Sequence, residues 1–94
     1  MFEIQYFGAT WCAPCRTQKP LVVALAQRYG VPLAVFDIDD ADLDPTVRDS
    51  IQKLPTVRIQ HTHDGQLVEF VTKQAEQLEQ WLRSNVRVIA TEDF

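Results

Sequence analysis

Two cysteines are all the chain has, and they stand three residues apart, at Cys12 and Cys15. A small secreted scaffold spreads several cysteines along its length to close long loops, so that use is excluded here. A close pair suits chemistry instead, as a redox couple or as half of a metal site. Basic charge is also in short supply. Nine Lys and Arg face thirteen Asp and Glu, for a net charge of −4, which argues against general binding to nucleic acid. No apolar run approaches the roughly 18 residues a membrane-spanning helix needs, so no membrane association is expected. The first residues, Met1-Phe2-Glu3-Ile4, lack the basic and apolar regions of a secretory signal, which makes a cytoplasmic site the expectation. Repeats, linkers and low-complexity stretches are missing as well. What is present is an ordinary globular balance, 46% hydrophobic and 23% charged over 94 residues, and that length predicts one domain spanning 1–94.

The pattern along the chain predicts the order β-α-β-α-β-β-α. Residues 2–7 alternate and are aromatic-rich, as a strand requires. From Ala13 to Tyr29 the apolar positions Leu21, Val22, Leu25, Ala26 and Tyr29 recur at helical spacing. Pro20 lies within that helix and should kink it, and Gly30 ends it. Leu33 to Ile38 is an apolar run that reads as a strand buried on both faces. Asp44 can cap a helix from Pro45 to about Lys53, which Leu54-Pro55 breaks. Thr56 to Gln60 and Leu67 to Val71 are strands joined through the turn signal Asp64-Gly65. Ala75, Leu78, Trp81 and Leu82 mark the core face of a last helix. Residues 85–94 fit no element and read as a C-terminal extension, with Val86 and Val88 open to an edge strand or to disorder.

A Cys-x-x-Cys between a strand and a helix places Cys12 at the helix N-terminus. Free N–H groups and the helix dipole there favour a thiolate, the attacking form of sulfur. Cys15 follows one turn later and can attack a mixed disulfide at Cys12. Ala13 and Pro14 set the turn between them, Pro14 removing one donor and stiffening it. A zinc site would need two further ligands, and His61 and His63, a pair otherwise expected to be exposed and without function, are the only good candidates. Inert structural cysteines are the other competing reading. The acidic run from Asp37 to Asp44 lacks the Gly and Glu that a calcium loop places at its sixth and twelfth positions, so it reads as a solvated turn with caps.

The pieces Ala9-Thr10-Trp11-Cys12-Ala13-Pro14-Cys15, Pro20, Leu54-Pro55-Thr56 and Asp64-Gly65 occur together at matching spacings. In them the sequence resembles the thioredoxin family, over residues 2 to about 84. The resemblance implies an α/β, thioredoxin-like fold whose four-stranded mixed sheet is flanked by helices. It implies a thiol–disulfide oxidoreductase in which Cys12 attacks and Cys15 resolves. Trp11 would pack beside the site, Pro55 would be cis and face the disulfide, and the backbone of Leu54 would pair with substrate. Partners would be disulfide-containing proteins, with a thioredoxin-reductase-like or thiol electron donor. No cofactor beyond the Cys12–Cys15 pair, and no metal, would be needed.

Four departures from that family stand out. The chain starts late, without the strand and helix that precede the first strand seen here. Tyr6 occupies the usual place of a buried Asp behind the resolving cysteine, and a phenol, with its pKa of about 10, is a poor base near neutrality, though it can donate a hydrogen bond to a thiolate. Val35 occupies the place of the lysine that pairs with that Asp, so neither charge is buried alone. Thr72 or Lys73 replaces a glycine after the last strand. Asp37 or Asp39 could substitute for the missing acid, although Asp39 reads better as the loop end of a strand. Two alternatives to a thioredoxin-like reductase are carried forward. One is a glutaredoxin-like reductase, disfavoured by Ala13-Pro14 and by the lack of a Gly-Gly near the last helix. The other is a non-catalytic accessory subunit that binds a partner protein.

Overall fold

A computed structural model describes residues 2–62, 64–71 and 74–86. Its elements are β1 (Phe2–Gly8), α1 (Ala13–Tyr29), β2 (Leu33–Asp37), α2 (Pro45–Ser50), β3 (Thr56–His61), β4 (Leu67–Phe70) and α3 (Gln74–Asn85). The strands form one sheet in the order β2-β1-β3-β4. β1 pairs in parallel with β2 and antiparallel with β3, and β3 pairs antiparallel with β4. The expected four-stranded mixed sheet is therefore present, with β1, the strand that leads to the cysteines, near its middle.

Period-two alternation decides what each face of the sheet carries. Ile4 and Tyr6 of β1, with Val57 and Ile59 of β3, pack against Val22 and Ala26 of α1 and Leu78 and Leu82 of α3. The opposite face is mostly polar. Gln5 donates to Gln60 at 3.1 Å across it, and Arg58 is held by Glu69 at 2.8 Å while lying over the Phe7 ring. Phe7 and Phe36 stack on that face with their centroids 5.0 Å apart.

Several expectations are corrected in detail. The Leu33–Ile38 segment is not buried on both faces. β2 is an edge strand paired only with β1 among the described residues, and its Val35 is 47% exposed. The second helix stops at Ser50 rather than Lys53. There the Ser50 hydroxyl donates to the Val47 carbonyl at 2.6 Å, and Ile51 turns extended so that residues 51–54 can reach the site. Pro20 lies within α1, as the spacing predicts, and sits on its exposed side, where a carbonyl without its helical donor can be hydrated. Leu21 also faces solvent. Asn85 ends α3 rather than opening a tail, and Val86 continues from it, its N–H donating to Leu82 at 2.8 Å. Val86 is in no strand; Val88, His63, Thr72 and Lys73 lie outside the described residues. His61 is half-buried, its ring 4.8 Å from that of Phe2 in an edge-on contact, and not a free surface histidine.

Candidate active site

β1 ends at Gly8, and a short loop delivers Cys12 to the first turn of α1. Cys12 is the N-cap of that helix, with extended backbone (φ −91°, ψ 109°). Its sulfur takes the part that a Ser or Asp oxygen ordinarily plays at a cap: the Cys15 N–H donates to Cys12 Sγ at 3.3 Å. Ala13 and Pro14 open the helix between the two cysteines. Cys12 and Cys15 are joined in a disulfide, with their Cα atoms 5.3 Å apart. When the bond is reduced, the same N–H and the helix N-terminus favour negative charge on Cys12.

The two sulfurs face different surroundings. Cys12 lines a groove of about 500 Å³ together with Trp11, Pro14, Ile38, Ile51 and Leu54. This groove brings together Trp11, Cys12, Ala13, Pro14 and Leu54 from the expected site. Trp11 is 64% exposed, and its indole N–H donates to Asp39 at 2.7 Å, which ties the loop before α1 to the loop after β2. The Leu54–Pro55 peptide is cis. Pro55 itself is buried and does not line the groove.

Cys15 is 4% exposed and packs into the core beside Tyr6. A Cβ built on Gly8 would lie 2.9 Å from the Tyr6 ring and 3.3 Å from Cys15 Sγ. Glycine is required at position 8 because the tyrosine ring and the sulfur occupy the space a side chain would need. With the disulfide formed, the Tyr6 hydroxyl donates to the Cys15 carbonyl at 2.9 Å. Burial raises its pKa above the ordinary 10.0, so it stays a neutral donor at neutral pH. Val35 is exposed on the edge strand, so the place of the absent lysine is not a buried one.

Three pairings carry no signal in the local sequence. Gln74, 5% exposed at the start of α3, donates to the carbonyls of Pro55 at 2.8 Å and Val71 at 2.7 Å. Gln18 of α1 accepts from the Ala75 N–H at 3.1 Å and thereby caps α3 from a distance. Asp39 holds Trp11. Long-range partners of this kind leave no mark in local spacing. Among the described residues no group of three or more His, Cys, Asp or Glu is arranged to hold a metal ion.

A helix N-terminus that carries one cysteine at a groove and a second, disulfide-linked cysteine buried behind it is the working part of a thiol–disulfide oxidoreductase. The sequence profile of the Thioredoxin family matches residues 3–84. A thioredoxin of Gallus gallus is 32% identical over 81 residues, covering 85% of this chain and 75% of that protein. Thioredoxin 1 of Synechococcus elongatus is 37% identical over 67 residues, and the chain spans 60% of its length. The oxidised crystal structure of thioredoxin O1 from Arabidopsis thaliana superposes with a TM-score of 0.79 at 26% identity, over 93% of this chain and 79% of that one. The chain belongs to the thioredoxin family.

Proposed function

We propose that the chain reduces disulfides of protein substrates by dithiol exchange, with Cys12 as attacking thiolate and Cys15 as resolving thiol. The observation that carries this reading is the placement of the pair: Cys12 caps α1 with a backbone N–H on its sulfur, at the wall of a groove open to a substrate chain. In the first step the Cys12 thiolate attacks one substrate sulfur, forming a mixed disulfide and releasing the other as a thiolate. In the second, Cys15 attacks Cys12 Sγ, closes the Cys12–Cys15 disulfide and releases the reduced substrate. Trp11 and Leu54 bind the substrate chain along the groove, with Leu54 offering its backbone and the cis Pro55 behind it fixing how that backbone is presented. Ala13 and Pro14 set the separation of the sulfurs, and Tyr6 fixes Cys15 through its carbonyl.

On this reading the cysteine pair is the redox group and no further cofactor takes part. A thioredoxin-reductase-like protein or a thiol pool returns the disulfide to the dithiol. A cytoplasmic setting accords with having its only two cysteines in one reactive pair, since reducing compartments disfavour structural disulfides. The test is dithiothreitol-driven reduction of insulin by wild type and Cys12→Ser. Wild type accelerates precipitation of the insulin chains and the variant does not. A wild-type protein without acceleration would favour the non-catalytic accessory role.

A further inference from the structure

Resolution needs Cys15 as a thiolate, and a thiol with an ordinary pKa of about 8.5 is mostly protonated at neutral pH. The groups around it offer few acceptors. A cavity of about 380 Å³ is lined by Cys15 and shares no wall residue with the substrate groove, and its wall includes Tyr6, Gly8, Arg16, Lys19 and Asp37. Tyr6 from β1 is a neutral donor already engaged with the Cys15 carbonyl. Arg16 and Lys19 from α1 carry cationic heads, which have no lone pair free to take a proton. Cys12 is the partner sulfur.

Asp37 is the remaining group. It stands at the end of β2 in register with Gly8, and Cys15 Sγ lies 3.3 Å from the point where a Gly8 Cβ would be. Adjacent strands are about 4.8 Å apart, so the Asp37 Cβ falls within roughly 8 Å of the sulfur, a gap that one or two waters span. One carboxylate oxygen, Oδ1, accepts from the Asp39 N–H at 2.8 Å and anchors the side chain. The other has no hydrogen bond among the described residues.

We propose that Asp37 is the proton acceptor for Cys15, acting through water in the cavity that Cys15 lines. The proton of the Cys15 thiol passes to the Asp37 carboxylate as the Cys15 sulfur attacks Cys12 Sγ. The bond between Cys12 and the substrate sulfur breaks, the Cys12–Cys15 bond forms, and the substrate leaves as a thiolate. Arg16 and Lys19 offset the negative charge in the cavity. This assignment rests on the reading of Cys15 as the resolving thiol.

Asp37→Asn tests it, because an amide oxygen can still accept from the Asp39 N–H while the base is lost. The reduced protein is mixed with a bis(nitrobenzoate) disulfide, and release of the coloured thiol is followed by stopped flow. The first equivalent reports attack by Cys12, and the second reports resolution by Cys15. In Asp37→Asn the second phase slows roughly tenfold or more near pH 6 to 7 and converges on wild type near pH 9, where the thiol ionises unaided. The first phase, in the same trace, is the internal control, and Tyr6→Phe keeps the wild-type pH profile of the second. A second phase in Asp37→Asn that equals wild type at every pH overturns the proposal. So does one slowed by the same factor throughout, since that marks a structural role. If wild type shows a first phase and no second, the exchange reading itself fails, an outcome visible without the variant.

Discussion

The Tyr6 hydroxyl illustrates how one buried polar group is used. It donates to the Cys15 carbonyl at 2.9 Å, and the ring beneath it fills the space that Gly8 leaves open. Tyr6→Phe removes the donor and keeps the ring, so a loss of about 1 kcal/mol in urea unfolding is expected. The pH dependence has a definite sign. Burial raises the folded-state pKa above 10.0, so above pH 10 the folded state holds a proton that the unfolded state has lost. The stability tied to the neutral phenol is intact below about pH 10 and falls as pH climbs toward the folded-state value. Tyr6→Phe therefore flattens the alkaline limb of the stability curve, which thermal melts at pH 9 and pH 11 would detect. At the cysteines, Cys15→Ser retains attack and loses resolution. It accumulates a mixed disulfide with substrate that non-reducing gels reveal, whereas Cys12→Ser forms none.

Among the elements, α1 is defined by its ends. Cys12 caps it at one end. At the other, Gly30 takes the left-handed conformation (φ 66°), and its N–H and that of Val31 return to the last carbonyls. Gly30→Ala forces a side chain into that region and should cost about 1 kcal/mol, read as a lower melting temperature with unchanged exchange. α3 is tied to the site through Gln74. Truncation by Gln74→Ala leaves the Pro55 carbonyl without its donor, a loss of about 1–3 kcal/mol for a buried acceptor. Because Pro55 follows the groove residue Leu54, the same variant is expected to raise KM for a protein disulfide. Attack on a small aromatic disulfide should stay near wild type, and comparing the two substrates checks this.

For the whole molecule, stability resides on one side of the sheet. α1 and α3 cover the apolar face, where Ile4, Val22, Ile59, Leu78 and Leu82 have no exposed surface. Leu78→Ala should therefore cost about 2–5 kcal/mol, seen as a lower urea midpoint with little change in slope. The other face is built from polar pairs such as Gln5–Gln60 and Arg58–Glu69, with the Phe7–Phe36 stack under Arg58, and substitutions among its exposed members should cost far less.

Much of this architecture was legible in the residues alone. Strands and helices showed through period, caps and turn signals, because those are local properties of the chain. Cys12 at a helix N-terminus followed from a pair of cysteines between a strand and a helix, and Asp44 and Gly30 announced the ends they cap. The half-exposure of β2 is not legible in its residues, because an apolar run looks the same on an edge as in the middle of a sheet; strand order alone sets how many neighbours a strand has. Tyr6 could be placed behind Cys15, but not the atom its hydroxyl would choose. The pairings of Gln18, Asp39 and Gln74 were invisible because the partners lie 57, 28 and 19 residues away. The sequence by itself determined the chemistry at the cysteines, since helix geometry fixes what a Cys-x-x-Cys presents. Only the tertiary structure decided which groups surround Cys15, because the cavity it lines is assembled from α1, β1 and β2, segments that meet only when the sheet has formed.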